Sequence, residues 1–290
     1  MTEPIRYHPE NGLPLHWDGQ QHRVLAALPG RAAYAALAPW HESAREPILP
    51  RSLWRECSLR SYTSPVLDQG STSSCVGHAT AAAFRRAWSL SGQQDYPFSP
   101  YYCYGLVDHD QDAGAIVGDA VDAISRWGVA YDGPLSDGDL PHAYIKQTQL
   151  MGLAAVLAKA SRFRPQISWH LQPGASVFDQ VSSAIQAFCP TVFGVMIYRN
   201  FSQLAPDGGV PAPAGNLLGG HALHGCGLRY NRRLSKWEIE TQNSWSEKWG
   251  LGGICYLGEE YFTGQVDAFA IGAVAEDPAG VQGWPDARAA

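Results

Sequence analysis

The sequence contains no run of about 18 apolar residues, so no helical membrane span is expected. Its opening stretch, MTEPIRYHPENG, is polar and has no apolar segment of the kind that directs secretion. No pair of its six cysteines has CxxC spacing, and without a secretory signal they are expected to be reduced. An excess of positive charge is also missing. The chain carries 21 Lys and Arg against 27 Asp and Glu, a formal charge of −6, and gives no reason to expect nucleic acid. Repeats and low-complexity stretches are absent. What is present is a globular composition: 45% hydrophobic residues, with ten Trp and thirteen Tyr. A length of 290 residues suffices for one large domain or two modest ones with a substantial core.

The most informative stretch is QGSTSSCVGHATAAAFRRAW, residues 69–88. Val76, Ala79, Ala83, Phe84, Ala87 and Trp88 recur at helical spacing, and Gly92 sits where a glycine would end the helix. Ser73 and Ser74 are N-cap types, so Cys75 falls in the first turn. Backbone N–H groups and the positive helix end favour a thiolate there. Taken alone, Cys75 reads as a small buried hydrophobe. Two downstream stretches change that reading: GGHALHGCGLRY (219–230) and ETQNSWSEKWGLGGICYL (240–257).

Together the three stretches resemble the papain-like cysteine peptidases. That resemblance assigns Cys75 as nucleophile, His221 as proton carrier, Asn243 as the residue that orients the ring, and Gln69 as an oxyanion donor. Trp245, in the Asn-Ser-Trp triplet, would shield the His221–Asn243 hydrogen bond. The likeness runs over roughly residues 49–273. It departs from the papain signature C-G-[SA]-C-[WY] at two positions. Thr72 stands where the family has a disulfide cysteine, and Val76 stands where it has an aromatic residue. The missing upstream cysteine and the polar N-terminus imply six reduced thiols and a cytoplasmic location, or else carriage in a viral particle.

The order of elements, helices first and strands second, implies an α+β chain. In the two-lobed papain-like fold the cleft would lie between a helical lobe (about 60–160) and an antiparallel β-rich lobe (about 165–275), within a domain spanning 49–275. Residues 1–48 form an N-terminal extension. QQHRVLAALPGRAAYAALA is expected to form helical turns around Pro29-Gly30. The extension suits a short cleft-blocking prosegment and a permanent packing or assembly arm equally well. Residues 276–290 read as a tail. Helices are expected at 75–91, near 99–105, 119–127, 149–160 (buried on most sides) and 177–188, with strands at 191–198, 221–230 and 237–243. Residues 161–175, with two prolines, read as connection.

Asp108, Asp110 and Asp112 alternate as in a calcium loop, but Ala113 and Asp119 occupy the positions that need Gly and Glu, so a solvated loop is expected. Cys75, His78, His221 and His224 are zinc-ligand types. Residues 221 and 224 of one strand face opposite ways, however, which argues against a shared metal. No cofactor and no membrane or nucleic-acid partner is expected. The expected substrate is a polypeptide, cleaved through a Cys-His-Asn mechanism. The rival reading is a papain-fold module that binds or scaffolds within a larger assembly.

Overall fold

The computed structural model describes residues 6–7, 9, 13–28, 48–165, 168–170, 176–263, 267–272 and 274–276. Helix α1 (Cys75–Leu90) starts at the expected residue, with Ser74 at its N-cap and Gly92 beyond its end at φ +72°. Its small residues let other elements approach closely. A Cβ on Gly77 would lie 2.5 Å from the Pro100 carbonyl oxygen, so only glycine lets helix α2 (Pro100–Gly105) pack there. Ser99 caps α2, its hydroxyl accepting from the Tyr102 N–H. Helix α3 (Val117–Trp127) ends at Gly128, and these helices enclose a core that includes Phe84, Trp88, Tyr102, Val121 and Ile124.

The second half builds one antiparallel sheet. In it β10 (Ile254–Gly258), β9 (Lys236–Gln242), β8 (Leu217–Asn231), β7 (Thr191–Tyr198), β11 (Ala268–Ile271) and β6 (Ser168–His170) lie side by side in that order. The short strand β4 (Cys57–Ser58) adds to β8. Helix α6 (Val177–Gln186) packs on this sheet, and Phe178, Val181, Phe193, Leu223 and Ile239 share its core. Periodicity in the sequence locates β7, β8, β9 and α6 well because each has a clear apolar face.

Three expectations change. Residues 147–160 form two short helices, α4 (Gln147–Met151) and α5 (Ala154–Ala160), because the chain breaks at Gly152. Only Leu150, Val156, Leu157 and Ala160 of this stretch are buried, so it is a surface element rather than an enclosed helix. Residues 161–175 are more than plain connection. They contain β5 (Phe163–Pro165), which pairs with β12 (Val274–Glu276), and also β6. The Asp108–Asp112 loop is tied down internally. Asp108 is buried and accepts from the Asp110 and Gln147 N–H groups and the Tyr144 hydroxyl, so its oxygens are consumed by the fold. The tail expected at 276–290 lies, beyond Glu276, outside the described residues.

The two halves are clamped by Arg86 of α1. Its guanidinium donates to His224 Nε2 (2.8 Å), the Leu59 and Tyr62 carbonyls, and Gln242 Oε1 (2.7 Å). This buried network fixes the helix that carries Cys75 against strands β8 and β9. His224 is thereby committed to structure. His78 Nδ1 likewise stays within its own helix, against Ser74.

Candidate active site

Cys75 is the first residue of α1, and its side chain is fully buried. The loop before it is held without a disulfide. The Thr72 hydroxyl donates to the Gln69 carbonyl (2.7 Å) and lies 2.5 Å from Ser74 Oγ, while Ser73 is fixed by its N–H to Asp112 Oδ1 (2.8 Å). Hydrogen bonds thus occupy the place where the resembling family has a cross-link. All six cysteines are thiols. Val76 is buried in the helical-lobe core.

His221 lies on β8 opposite Val195 of β7. Its Nε2 meets Asn243 Oδ1 at 2.8 Å, and its Nδ1 is buried without a hydrogen-bond partner among the described residues. Asn243, just past β9, is held by its N–H to the Gly253 carbonyl, and its Oδ1 also accepts from the Ser244 N–H (2.7 Å). Trp245 stacks on the His221 ring at a centroid distance of 4.7 Å and is itself fully buried. Gln69 is buried as well. Its Oε1 accepts from the Ser244 hydroxyl (2.7 Å), which points its Nε2 towards the Thr72 carbonyl (3.0 Å) and the Val24 carbonyl (3.4 Å). The five residues singled out in the sequence therefore converge on one seam between the lobes.

Sequence reasoning missed the conformation of the segment that fills that seam. Residues 22–27 are extended rather than helical. Strand β3 (His22–Val24) pairs with β2 (Pro14–Trp17), which in turn pairs with β1 (Arg6–Tyr7). The chain then runs on between the lobes. The Ala27 N–H donates to the Gly220 carbonyl (3.0 Å), the Leu28 N–H to the Ala115 carbonyl (2.9 Å), and the Ala115 N–H to the Ala26 carbonyl (3.1 Å). The Ala27–Ala115 bridge is parallel. Val24, Ala26 and Ala27 join the helical-lobe core, whereas Leu25 joins the β-lobe core. Alternate residues of an extended chain point to opposite sides, so Val24, Leu25 and Ala26 face the two lobes in turn, and Ala27 breaks the alternation. The rest of QQHRVLAALPGRAAYAALA, from Pro29, lies outside the described residues.

Burial sets the electrostatics of the site. Burial pushes the Cys75 thiol up to about 11, against smaller opposing pulls from the backbone of Ala222, Ala26 and its own first turn. Burial also brings His221 down to about 3, the Asn243 contact opposing this and the nearby His16 and Arg23 adding to it. The expected thiolate at a helix start is therefore overruled by desolvation in this state. His16, on the arm, packs 5.4 Å from Trp245 and bonds Ser202 Oγ at 2.7 Å. Among the described residues, no group of His, Cys, Asp and Glu is arranged to hold a metal ion.

No protein-family model and no curated protein sequence matches the chain. Solved structures do match. Xylellain, a cysteine protease from Xylella fastidiosa, aligns at TM-score 0.61 and 20% identity, over 87% of this chain and 92% of that one. Digestive procathepsin L 3 of Tenebrio molitor larval midgut aligns at TM-score 0.58 and 16% identity, over 86% and 75%. Bromelain from Ananas comosus, in complex with the E64 inhibitor, aligns at TM-score 0.57 and 17% identity, over 78% and 100%. At these identities the shared property is the fold: mixed α+β, two-lobed and papain-like.

Proposed function

We propose that the chain is a papain-like cysteine peptidase held in a latent state by its own N-terminal arm. The observation that carries this reading is the His221 ring. Asn243 holds its Nε2, Trp245 covers that bond, and Nδ1 is left without a partner among the described residues, in the seam that contains Cys75. In an arm-free cleft, water would solvate both Cys75 and His221, which favours the thiolate–imidazolium pair that burial now suppresses. The thiolate would attack the peptide carbonyl. Gln69 Nε2 and the Cys75 N–H would hold the oxyanion, and His221 would pass its proton to the leaving amine before activating water to hydrolyse the thioester.

Within this proposal residues 22–27 act as the blocking segment. The Val24 carbonyl stands 3.4 Å from Gln69 Nε2, the donor meant for the oxyanion. The parallel bridge at Ala115 gives the arm one fixed direction through the seam. Three of the similar structures are of proforms: procathepsin L 3, proCathepsin B S9 from Trypanosoma congolense and the Amb a 11 ragweed allergen. The arm thus fits a prosegment better than a separate assembly contact.

The test uses the full chain with A26E and A27E, which place two carboxylates in an apolar seam at a cost of several kcal/mol and so displace the arm. An epoxide thiol inhibitor should then modify Cys75 selectively, peptide amides should be cleaved, and Cys75→Ala should reduce turnover at least about 10³-fold while leaving the fold intact. Labelling spread over random thiols, with no turnover, would favour the binding-module reading instead.

A further inference from the structure

Arg23 of the arm is almost fully buried, with partners both in the body of the protein and within the arm. Its Nη1 donates to Asp68 Oδ1 (2.5 Å) and to the Gly70 carbonyl (3.3 Å), and its Nη2 donates to the Trp245 carbonyl (3.0 Å). Within the arm, Nε is satisfied by Asp18 Oδ2 at 2.6 Å, and the Gln21 amide oxygen faces Nη1 (3.0 Å) and Nη2 (2.8 Å). The body therefore supplies one carboxylate and two carbonyl oxygens, arranged around the two terminal nitrogens of a guanidinium. Asp68 and Gly70 flank Gln69, and Trp245 stacks on His221, so this receptor adjoins the proposed oxyanion donor and the proton carrier. The Asp68 side chain is 45% exposed even with the arm seated.

We propose that Asp68, with the carbonyls of Gly70 and Trp245, is a substrate-arginine subsite of the cleft, which Arg23 occupies as a surrogate while the arm is bound. The proposal rests on the peptidase reading above. The position follows from the neighbouring residue: the Val24 carbonyl points to Gln69 Nε2, so the residue seated in the Asp68 pocket is next to the one whose carbonyl meets the oxyanion donor. A substrate arginine would therefore lie within two residues of the scissile bond, and on one side of it only. Two terminal nitrogens are used by the pocket, so arginine should be favoured over lysine, whose single ammonium cannot reach all three acceptors with the same geometry.

The experiment takes the full chain with A26E and A27E and a set of peptides that carry arginine, citrulline or lysine at each position around the cleaved bond. At one position kcat/KM should be about 10–100-fold higher for arginine than for citrulline, which has the same shape but no charge. Lysine should fall between them. Asp68→Asn should collapse the arginine-to-citrulline ratio towards one. Citrulline tests the charge from the substrate side, so the result stands even if the Asp68 variant folds poorly. An enzyme that cleaves peptides with a ratio near one at every position overturns the subsite and leaves the peptidase reading intact. No turnover and no selective labelling of Cys75 overturns the peptidase reading, and the substrate subsite with it.

Discussion

At Cys75 two opposing effects act on one sulfur. The helix start and adjacent backbone favour the thiolate, while complete burial disfavours it. Burial wins, and a thiol raised to about 11 has only about one part in ten thousand as thiolate at pH 7. This balance belongs to the arm-bound state, because backbone of the arm at Ala26 lies against the thiol. His221 and Asn243 can be separated experimentally once the arm is displaced. Asn243 touches only the ring's Nε2, whereas His221 would move the proton. Asn243→Ala should therefore reduce kcat less than His221→Ala, by about 10-fold or more. Equal losses in two folded variants would show that the ring is oriented by something else, with stacking on Trp245 the first suspect. Gln69, Cys75, His221 and Asn243 are legible in the sequence because each sits inside a short motif. Arg23 is not, because nothing local to HRVLAAL signals a partner 45 residues on.

Among the elements, the arm departs most from its sequence reading. Leu25, Ala26 and Ala27 are good helix formers, but propensity does not decide their conformation when backbone acceptors on two walls are available. Ala27 finds the Gly220 carbonyl and Leu28 finds the Ala115 carbonyl, and these pairings hold the chain extended. Gly220 shows how closely the arm is fitted. A Cβ placed there would lie 2.0 Å from the Ala27 carbonyl oxygen, and its three nearest neighbours all belong to Ala27. Gly220→Ala should therefore leave β8 intact and expel the arm. The expected result is a rise of at least about 10-fold in the rate at which Cys75 is alkylated at neutral pH, since a buried thiol becomes solvated and its thiolate fraction increases. An unchanged rate would mean that the arm can shift within the seam, or that other elements cover Cys75. Strands β7, β8 and β9 are readable because a buried sheet face imposes its own pattern. The break at Gly152 and the pairing of β5 with β12 depend on partners far along the chain, and so are not.

For the molecule as a whole, buried neutral histidines set the response to acid. His16 and His78 are lowered to about 4, and His221 and His224 to about 3, burial being the main cause in each case. In the unfolded chain a histidine titrates near 6.5, so the folded state binds fewer protons below that pH. The stability contributed by keeping these rings neutral is fully present above about pH 6.5 and is lost as pH falls towards 4 and then 3. Each ring removes on the order of 2 kcal/mol by pH 5. Four together are comparable to the total stability of an ordinary domain. The urea midpoint should therefore fall steeply between pH 6.5 and pH 4.5, in the opposite sense to a protein stabilised by neutral carboxylic acids. Of the four, His16 is on the arm, where it faces Trp245, Phe201 and Ser202, with Asp18 opposing and His22 adding to its depression. His16→Phe should keep the packing against Trp245 and remove that charge-sensitive contact. Alkylation of Cys75 at pH 5 should then be slower in the His16 variant than in the unsubstituted chain, while the urea midpoint at pH 5 remains limited by His78, His221 and His224. A midpoint that does not move between pH 6.5 and pH 4.5 would show that these rings gain protons without leaving their sites.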